Sequence, residues 1–343
     1  MTNQNPKVQL IEDWLSKQGF RQPIEITHLL GDGSSRSFYR VLVSANQNSY
    51  ILLSDPDWKL TQDYPAHQAD LKAAGIPVPE FIASDPSQGF LLMQDLGDEL
   101  LQLYLVKNPE QKVSWLRKAV ELLANLHGKL FPVSASLPVS QRRFDEEKYF
   151  QELCFTFEHL REKYLKLPPV SKEGLAEVRR FCAGLDSFKP WVFCHRDYHC
   201  RNLLVHKDSL WMIDFQDARL GPPAYDLASI LYDAYFPLPE DLRTELLTVY
   251  KKTLSRYSVF SQIDWKTFEK ELGLVAYQRT LKAAGSFASF FNRFQKKTHL
   301  PYLKPALQMA RELEIKWGIA QPVATTFEIE KMIGLLHGAE SNL

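Results

Sequence analysis

The sequence has no run of about 18 apolar residues, which excludes an obvious membrane-spanning helix. Neither charge is in excess: 41 Lys and Arg face 41 Asp and Glu, so no global field argues for nucleic acid or a membrane surface as partner. The opening residues, MTNQNPKVQLIEDW, lack a basic stretch followed by an apolar one and do not read as a secretory signal. Cysteine is scarce. Cys154, Cys182, Cys194 and Cys200 show no C-x-x-C spacing and read as reduced, space-filling thiols of a cytoplasmic protein. Internal repeats and low-complexity segments are absent as well.

What is present is length and one dense stretch. At 343 residues and 45% apolar content the chain can build two lobes with sizeable cores. Residues 192–231 hold His195-Arg196-Asp197, then Asn202 five residues after the Asp, then Asp214-Phe215-Gln216. The apolar runs at 203–205 and 210–213 flank a polar turn, His206-Lys207-Asp208-Ser209, and read as a β-hairpin. Such a hairpin puts Asn202 just before its first strand and Asp214 just after its second, at one end. A loop carboxylate, a loop amide and a strand-end carboxylate then converge. Phosphoryl transfer needs that set: Asp197 to accept the proton of an attacking hydroxyl, Asn202 and Asp214 to hold a metal beside the phosphates. His195, Asp197 and His199 also spell H-x-D-x-H, a spacing open to a metal-hydrolase ligand set. That alternative leaves Asn202, Asp214 and the hairpin unexplained. In the blandest alternative the carboxylates are ordinary loop residues and His195 and Arg196 brace the loop, a role that suits the latter two.

H-R-D-x-x-x-x-N followed by D-F-x resembles the catalytic core of the protein kinase-like superfamily. The continuation Gly221-Pro222-Pro223-Ala224-Tyr225-Asp226-Leu227 resembles its aminoglycoside phosphotransferase branch. Residues 195–202 with Ile213-Asp214-Phe215-Gln216-Asp217-Ala218 are most similar to the cell-wall recycling sugar kinases, which phosphorylate the anomeric hydroxyl of N-acetylmuramate and N-acetylglucosamine. The resemblance implies an α+β, bilobal protein kinase-like fold: a small antiparallel β-sheet lobe over residues 1–97 and a larger, mainly helical lobe over 98–343. It also implies ATP and Mg²⁺, a small amino-sugar acceptor, and a role in the cytoplasm.

Along the first lobe, residues 7–20 have helical apolar spacing (Val8, Ile11, Trp14, Leu15) and predict a helix packed on its outside. Strands are expected at 24–30 and 37–43 around Gly31-Asp32-Gly33-Ser34-Ser35. Most short glycine hairpins are only turns. At this position in the resemblance, the backbone of Gly31, Gly33, Ser34 and Ser35 would cover the nucleotide phosphates. The third strand, around Tyr50-Ile51-Leu52-Leu53, departs from the kinase pattern, because the lysine expected there is missing. Residues 61–74 likewise offer no glutamate to pair with one. Arg36 or Lys59 is the candidate replacement. Gln94 and Leu96, in the connector at 94–97, are the expected adenine contacts through the backbone, and Gly97 suits a change of direction.

The second lobe shows helical spacing at 112–130, 145–165, 171–185, 226–235, 241–254, 265–294 and 303–317. His127 reads as a packing residue and Asp226 as a brace of the H-R-D loop. Arg201, inside the catalytic loop, is the candidate contact to the phosphoryl group or to a substrate carboxylate, a surface ion pair being the alternative. His199, Gln216, Asp217 and Arg279 are candidate substrate residues, although Gln278 and Arg279 as ordinary helix residues would be solvated. Two further functions stay open on the sequence alone: a kinase of another alcohol, such as an aminoglycoside or choline-like amine, and a nucleotide-binding pseudokinase that has lost its lysine. The helical lobe is not unusually acidic, which disfavours a cationic acceptor.

Overall fold

The computed structural model describes residues 6–20, 24–29, 36–43, 48–59 and 61–340, with side chains as far as Leu336. Helix α1 (Pro6–Lys17) buries Ile11, Trp14 and Leu15, the stripe its spacing predicts. It packs on a five-stranded antiparallel sheet built from β1 (Ile24–Leu29), β2 (Ser37–Val43), β3 (Asn48–Ser54), β4 (Phe81–Asp85) and β5 (Phe90–Gln94), in the order β1-β2-β3-β5-β4. Strand alternation divides the sheet's side chains. Val41, Leu52, Phe90 and Leu92 face α1, whereas Leu53, Leu91 and Met93 join the main core on the other side. Helix α2 (Tyr64–Ala73) lies between β3 and β4 in the chain.

The sheet gives way to helices through a pinned connector. Arg40 on β2 donates from Nε to Asp95 Oδ2 (2.6 Å) and from Nη2 to Asp98 Oδ1 (2.7 Å), and the Ser49 hydroxyl also bonds Asp95. Gly97 takes φ +83°, a conformation that glycine adopts without steric cost. Then follow α3 (Leu101–Lys107), α4 (Lys112–Lys129), α5 (Glu146–Thr156) and α6 (Lys172–Asp186). Strands β6 (Val192–Cys194), β7 (Leu203–His206), β8 (Ser209–Met212) and β9 (Arg219–Gly221) carry the motif residues. The chain ends through α7 (Pro223–Leu231), α8 (Glu240–Leu254), α9 (Trp265–Phe294), α10 (Leu303–Trp317), α11 (Gln321–Phe327) and α12 (Ile329–Glu340). Among the described residues, no helix is long and apolar enough to cross a membrane.

Two helices depart from expectation. The one expected over 145–165 is α only to Thr156 and continues as a π-helix over Phe157–Tyr164. The one expected over 226–235 starts at Pro223, where a missing N–H costs nothing, and stops at Leu231. It stops because Asp233 turns the chain: its carboxylate accepts from Tyr235 N (2.8 Å) and from Cys200 N (2.9 Å). Helix α9 is the spine of the larger part, in contact with α5, α7 and α10. Its Gly285 lies so close to α5 that an added Cβ would sit 2.6 Å from Thr156 Cα. The cysteines pack as expected: Cys182, Cys194 and Cys200 are buried and all four are unbridged.

Candidate active site

The hairpin β7–β8 pairs Leu203 with Met212, and its ladder runs one step further, with Ile213 N donating to Asn202 O (3.1 Å). Lys207 and Asp208 both take positive φ, as a two-residue hairpin turn requires. That register brings Asn202 and Asp214 together. Asn202 Nδ2 donates to the Asp197 carbonyl (2.9 Å) and lies 3.5 Å from Asp214 Oδ2. Asp197, Asn202 and Asp214 therefore converge as the motif spacing predicts.

The loop before the hairpin is braced from beneath. Asp226, fully buried on α7, accepts from His195 N (2.6 Å) and Arg196 N (2.9 Å), so it braces the loop instead of capping its own helix. The His195 ring donates from Nε2 to Ile213 O (2.7 Å), while Nδ1 accepts from Asp197 N (3.3 Å). With both ring nitrogens engaged, His195 is no metal ligand, and the H-x-D-x-H alternative fails on geometry. Among the described residues, the His, Cys, Asp and Glu side chains close enough to share an ion are His127, Cys194 and Asp226, all buried behind the loop. His127 packs as expected, its Nδ1 2.7 Å from the Tyr250 hydroxyl. Arg196 (φ +82°) and Asp214 (φ +65°) both adopt left-handed backbone, which is uncommon for side chains of their kind and clusters at functional sites.

Two cavities flank this point. One, of about 420 Å³, lies between the sheet and the hairpin. Its walls are mostly apolar (Phe38, Ile51, Met93, Leu96, Leu204, Ile213), and Arg36 and Asp214 stand at its polar end. Ile51 occupies the third-strand wall where the lysine is missing. Arg36 Nη2 instead comes to 3.8 Å from Asp214 Oδ1 with only 14% of its side chain exposed, whereas Lys59 is exposed and lines no cavity described. Gln94 and Leu96 line the same space, but parts of their backbone are already engaged. Gln94 N donates to Glu80 O (2.7 Å), and Leu96 O accepts from His206 Nδ1 (3.0 Å). Gly31, Gly33, Ser34 and Ser35 lie outside the described residues.

Gln216 faces the cleft, as expected: it lines this first cavity and donates from Nε2 to Asp214 Oδ1 (2.8 Å), which steadies that carboxylate. Phe215 is fully buried under Asp214, against Tyr64 with ring centroids 4.5 Å apart. Burial pushes the Asp214 carboxyl pKa up, against the pull of Arg36 and the Gln216 amide.

The second cavity, about 260 Å³, lies on the far side of Asp197 and is walled by α9 and the turn after α7. Arg279 donates from Nη2 to Asp197 Oδ1 (3.0 Å) and from Nε to Ser229 Oγ (2.9 Å); Lys282 Nζ reaches the same Asp197 oxygen at 2.8 Å. Neither cation is solvated, and Gln278, fully buried, donates to Glu152 Oε2 (3.1 Å). The expectation of solvated helix residues is thus overturned for Gln278 and Arg279. Burial alone would raise the Asp197 carboxyl, but Lys282, Arg279 and Arg196 outweigh it and hold the group well below the usual carboxylate range. His199 lines this cavity with Nδ1 unpartnered, and burial drives its pKa down to about 3, so the ring is neutral. Asp217 pairs with Arg196 Nη1 (3.2 Å). Arg201 is not on the cavity wall: its guanidinium stacks on Tyr235 at 4.6 Å and its Nη1 lies 3.5 Å from His299 Nε2. Sequence reasoning missed Lys282. Its signal was a second cation three residues after Arg279, on the same face of an otherwise apolar helix.

A strand lobe and a helical lobe, with an apolar cavity between them ending on a carboxylate–amide pair beside a braced loop carboxylate, define the kinase-like phosphotransferase fold. The chain belongs to the phosphotransferase enzyme family, whose model matches residues 28–260. It is 28% identical over 301 residues to the N-acetylmuramate/N-acetylglucosamine kinase of Pseudomonas aeruginosa, covering 86% of this chain and 84% of that one. Among solved structures it resembles choline kinase from Cryptosporidium parvum Iowa II, with TM-score 0.62, 14% identity and 93% and 99% coverage of the two chains. An ADP-bound aminoglycoside phosphotransferase superimposes with TM-score 0.57, 14% identity and 89% and 98% coverage. The protein is a phosphotransferase with an alcohol group as acceptor.

Proposed function

We propose that this protein is a cytoplasmic kinase that moves the γ-phosphoryl group of ATP to an amino-sugar hydroxyl. The acceptor is the anomeric hydroxyl of N-acetylmuramate or N-acetylglucosamine, in the recycling of peptidoglycan. The observation that carries the reading is the Asn202 amide, which touches both the Asp197 backbone and the Asp214 carboxylate and so ties a wall residue of one cavity to a wall residue of the other. The apolar cavity suits an adenine, with Gln94 and Leu96 beside its edge and Arg36 in place of the missing lysine at the phosphates. The kinase named for the two amino sugars in Pseudomonas aeruginosa supports the acceptor class.

An amide and a carboxylate are hard oxygen donors of the kind Mg²⁺ prefers. Asp214, with its nearest arginine 3.8 Å away and its pKa pushed up by burial, is a carboxylate that additional positive charge would stabilise. Asn202 and Asp214 are accordingly the residues that would hold the ion, which when bound offsets negative charge on the phosphates. The remaining work falls to the chain. Asp197 is held ionised and is therefore a weak base, so it orients the acceptor hydroxyl and takes its proton late, as the oxygen–phosphorus bond forms. His199, neutral and on the cavity wall, is the ring that would hydrogen-bond a sugar hydroxyl. Phe287, Phe290 and Tyr235 offer apolar faces to a sugar ring.

The direct test is incubation of the protein with ATP, Mg²⁺ and a panel of amino sugars, amines and aminoglycosides, followed by ³¹P and ¹³C NMR of the product. The reading requires phosphate on C1 of an N-acetylated amino sugar. Transfer confined to an amine-bearing alcohol, or none at all, contradicts it.

A further inference from the structure

The wall of the acceptor cavity gathers its charge around Asp197. Lys282 and Arg279, both nine-tenths or more buried, converge on a single oxygen of Asp197. The other cation on the wall, Arg196, is taken up by Asp217 at 3.2 Å, with Glu152 3.8 Å away. Asp233, the remaining carboxylate of the wall, is committed to the backbone amides of Cys200 and Tyr235, and burial pushes its pKa up. Glu152 also favours the charges of Lys282 and Arg279. The ammonium has three N–H donors and the guanidinium five, more than one shared Asp197 oxygen and the Ser229 hydroxyl take up. Both stand on α9, beyond the residues 28–260 that the family model matches.

Resting on the amino-sugar kinase reading, we infer that Lys282 and Arg279 form an anion subsite that receives a carboxylate of the acceptor. The favoured substrates are then acidic sugars, N-acetylmuramate with its lactyl carboxylate over the uncharged N-acetylglucosamine. Arg279, its Nε held by Ser229 and its Nη2 by Asp197, offers its remaining Nη N–H groups, and Lys282 a point charge beside it. The same two groups repel a cationic acceptor. That separates this cavity from one built for a quaternary amine, even though the fold is shared with a choline kinase. Arg201, stacked on Tyr235 and packed behind the wall, does not take this role.

The test compares two pairs of acceptors that differ by a carboxylate: N-acetylmuramate against N-acetylglucosamine, and glucuronate against glucose. kcat/KM is measured for the wild type and for Lys282→Met, Lys282→Arg and Arg279→Gln. Lys282→Met and Arg279→Gln disturb Asp197 and lower turnover on every acceptor, so the readout is the ratio within each pair. Loss of a charge-assisted contact should cut the acid-to-neutral ratio by about tenfold or more, chiefly through KM for the acid, and Lys282→Arg should restore it. Equal losses on the acid and neutral members would overturn the inference and leave the amino-sugar reading standing. A wild type that ignores both amino sugars but prefers glucuronate to glucose overturns the function reading and upholds the subsite. Activity on none of the four overturns both.

Discussion

The two cavities that flank the Asp197–Asn202–Asp214 point are built on opposite principles. The side proposed for the nucleotide is mostly apolar and assembled largely from strands, its connector pinned by Arg40. The acceptor side is a nest of buried ions resting on helix α9, with Arg279, Lys282, Arg196 and Asp197 within reach of one another. A nucleotide base can be gripped by shape and backbone, whereas a small sugar must be told from others by a few charged or polar groups. Damage to the first cavity should therefore appear in nucleotide affinity, and damage to the second in the choice of acceptor.

The strongest break in this pattern is at the junction. Asp214→Ala should lower kcat/KM by about 10³ or more, because losing the carboxylate proposed to hold the metal would forfeit several kcal/mol of charge stabilisation at about 1.4 kcal/mol per tenfold. Steady-state kinetics at saturating Mg²⁺ checks it. Next comes the donor end. Arg36→Ala should raise the KM for ATP about tenfold, the worth of a charge-assisted contact, while Lys59→Ala leaves it unchanged. No change with Arg36→Ala would show that the missing lysine is replaced from elsewhere.

The acceptor side should respond to pH in a way the donor side does not. Burial drives Lys282 down to about 8, with Asp197 and Glu152 pulling its pKa up and Arg279 and Arg196 pushing it down. Below that pH the ammonium is charged; as pH rises through about 8 the charge is lost and an acidic acceptor loses its partner. KM for N-acetylmuramate should climb between pH 7 and 9.5 and that for N-acetylglucosamine should stay flat. Lys282→Arg, charged throughout, should flatten both.

The smallest effect concerns the scaffold that holds α9 in place. Gly285→Ala gains about 1 kcal/mol of helix propensity. It also forces a methyl group against Thr156, an overpacking cost of about 1–3 kcal/mol, so net destabilisation is expected in urea unfolding.

The same contrast explains what could be read from the chain beforehand. Asp197, Asn202 and Asp214 are near neighbours in sequence, and hairpin register alone brings the last two together. The α1 stripe, the strands and the full length of α9 follow from periodicity, because there the local pattern and the tertiary burial agree. Arg279 and Lys282 lie 82 and 85 residues from the Asp197 they touch, and no periodicity says that a charged side chain on an apolar helix points inward to an ion pair. The bond from Gln216 to Asp214 is set by the turn after β8, which no periodicity describes. Arg201 sits in the motif itself, yet Tyr235, in the turn that Asp233 makes, draws it away. Helix α7 ends early because the Asp233 side chain bonds the Cys200 amide in the loop 33 residues upstream, a contact invisible in local sequence.

The most direct measurement is a pair of numbers for Asp197→Asn: ATP affinity by calorimetry and the rate of phosphate transfer to N-acetylmuramate. Because Asp197 belongs to the acceptor cavity and Asp214 to the donor cavity, ATP should bind as in the wild type while transfer falls by about 10²–10⁴. Transfer at the wild-type rate, or loss of ATP binding with the fold intact, would contradict the division of labour between the two cavities.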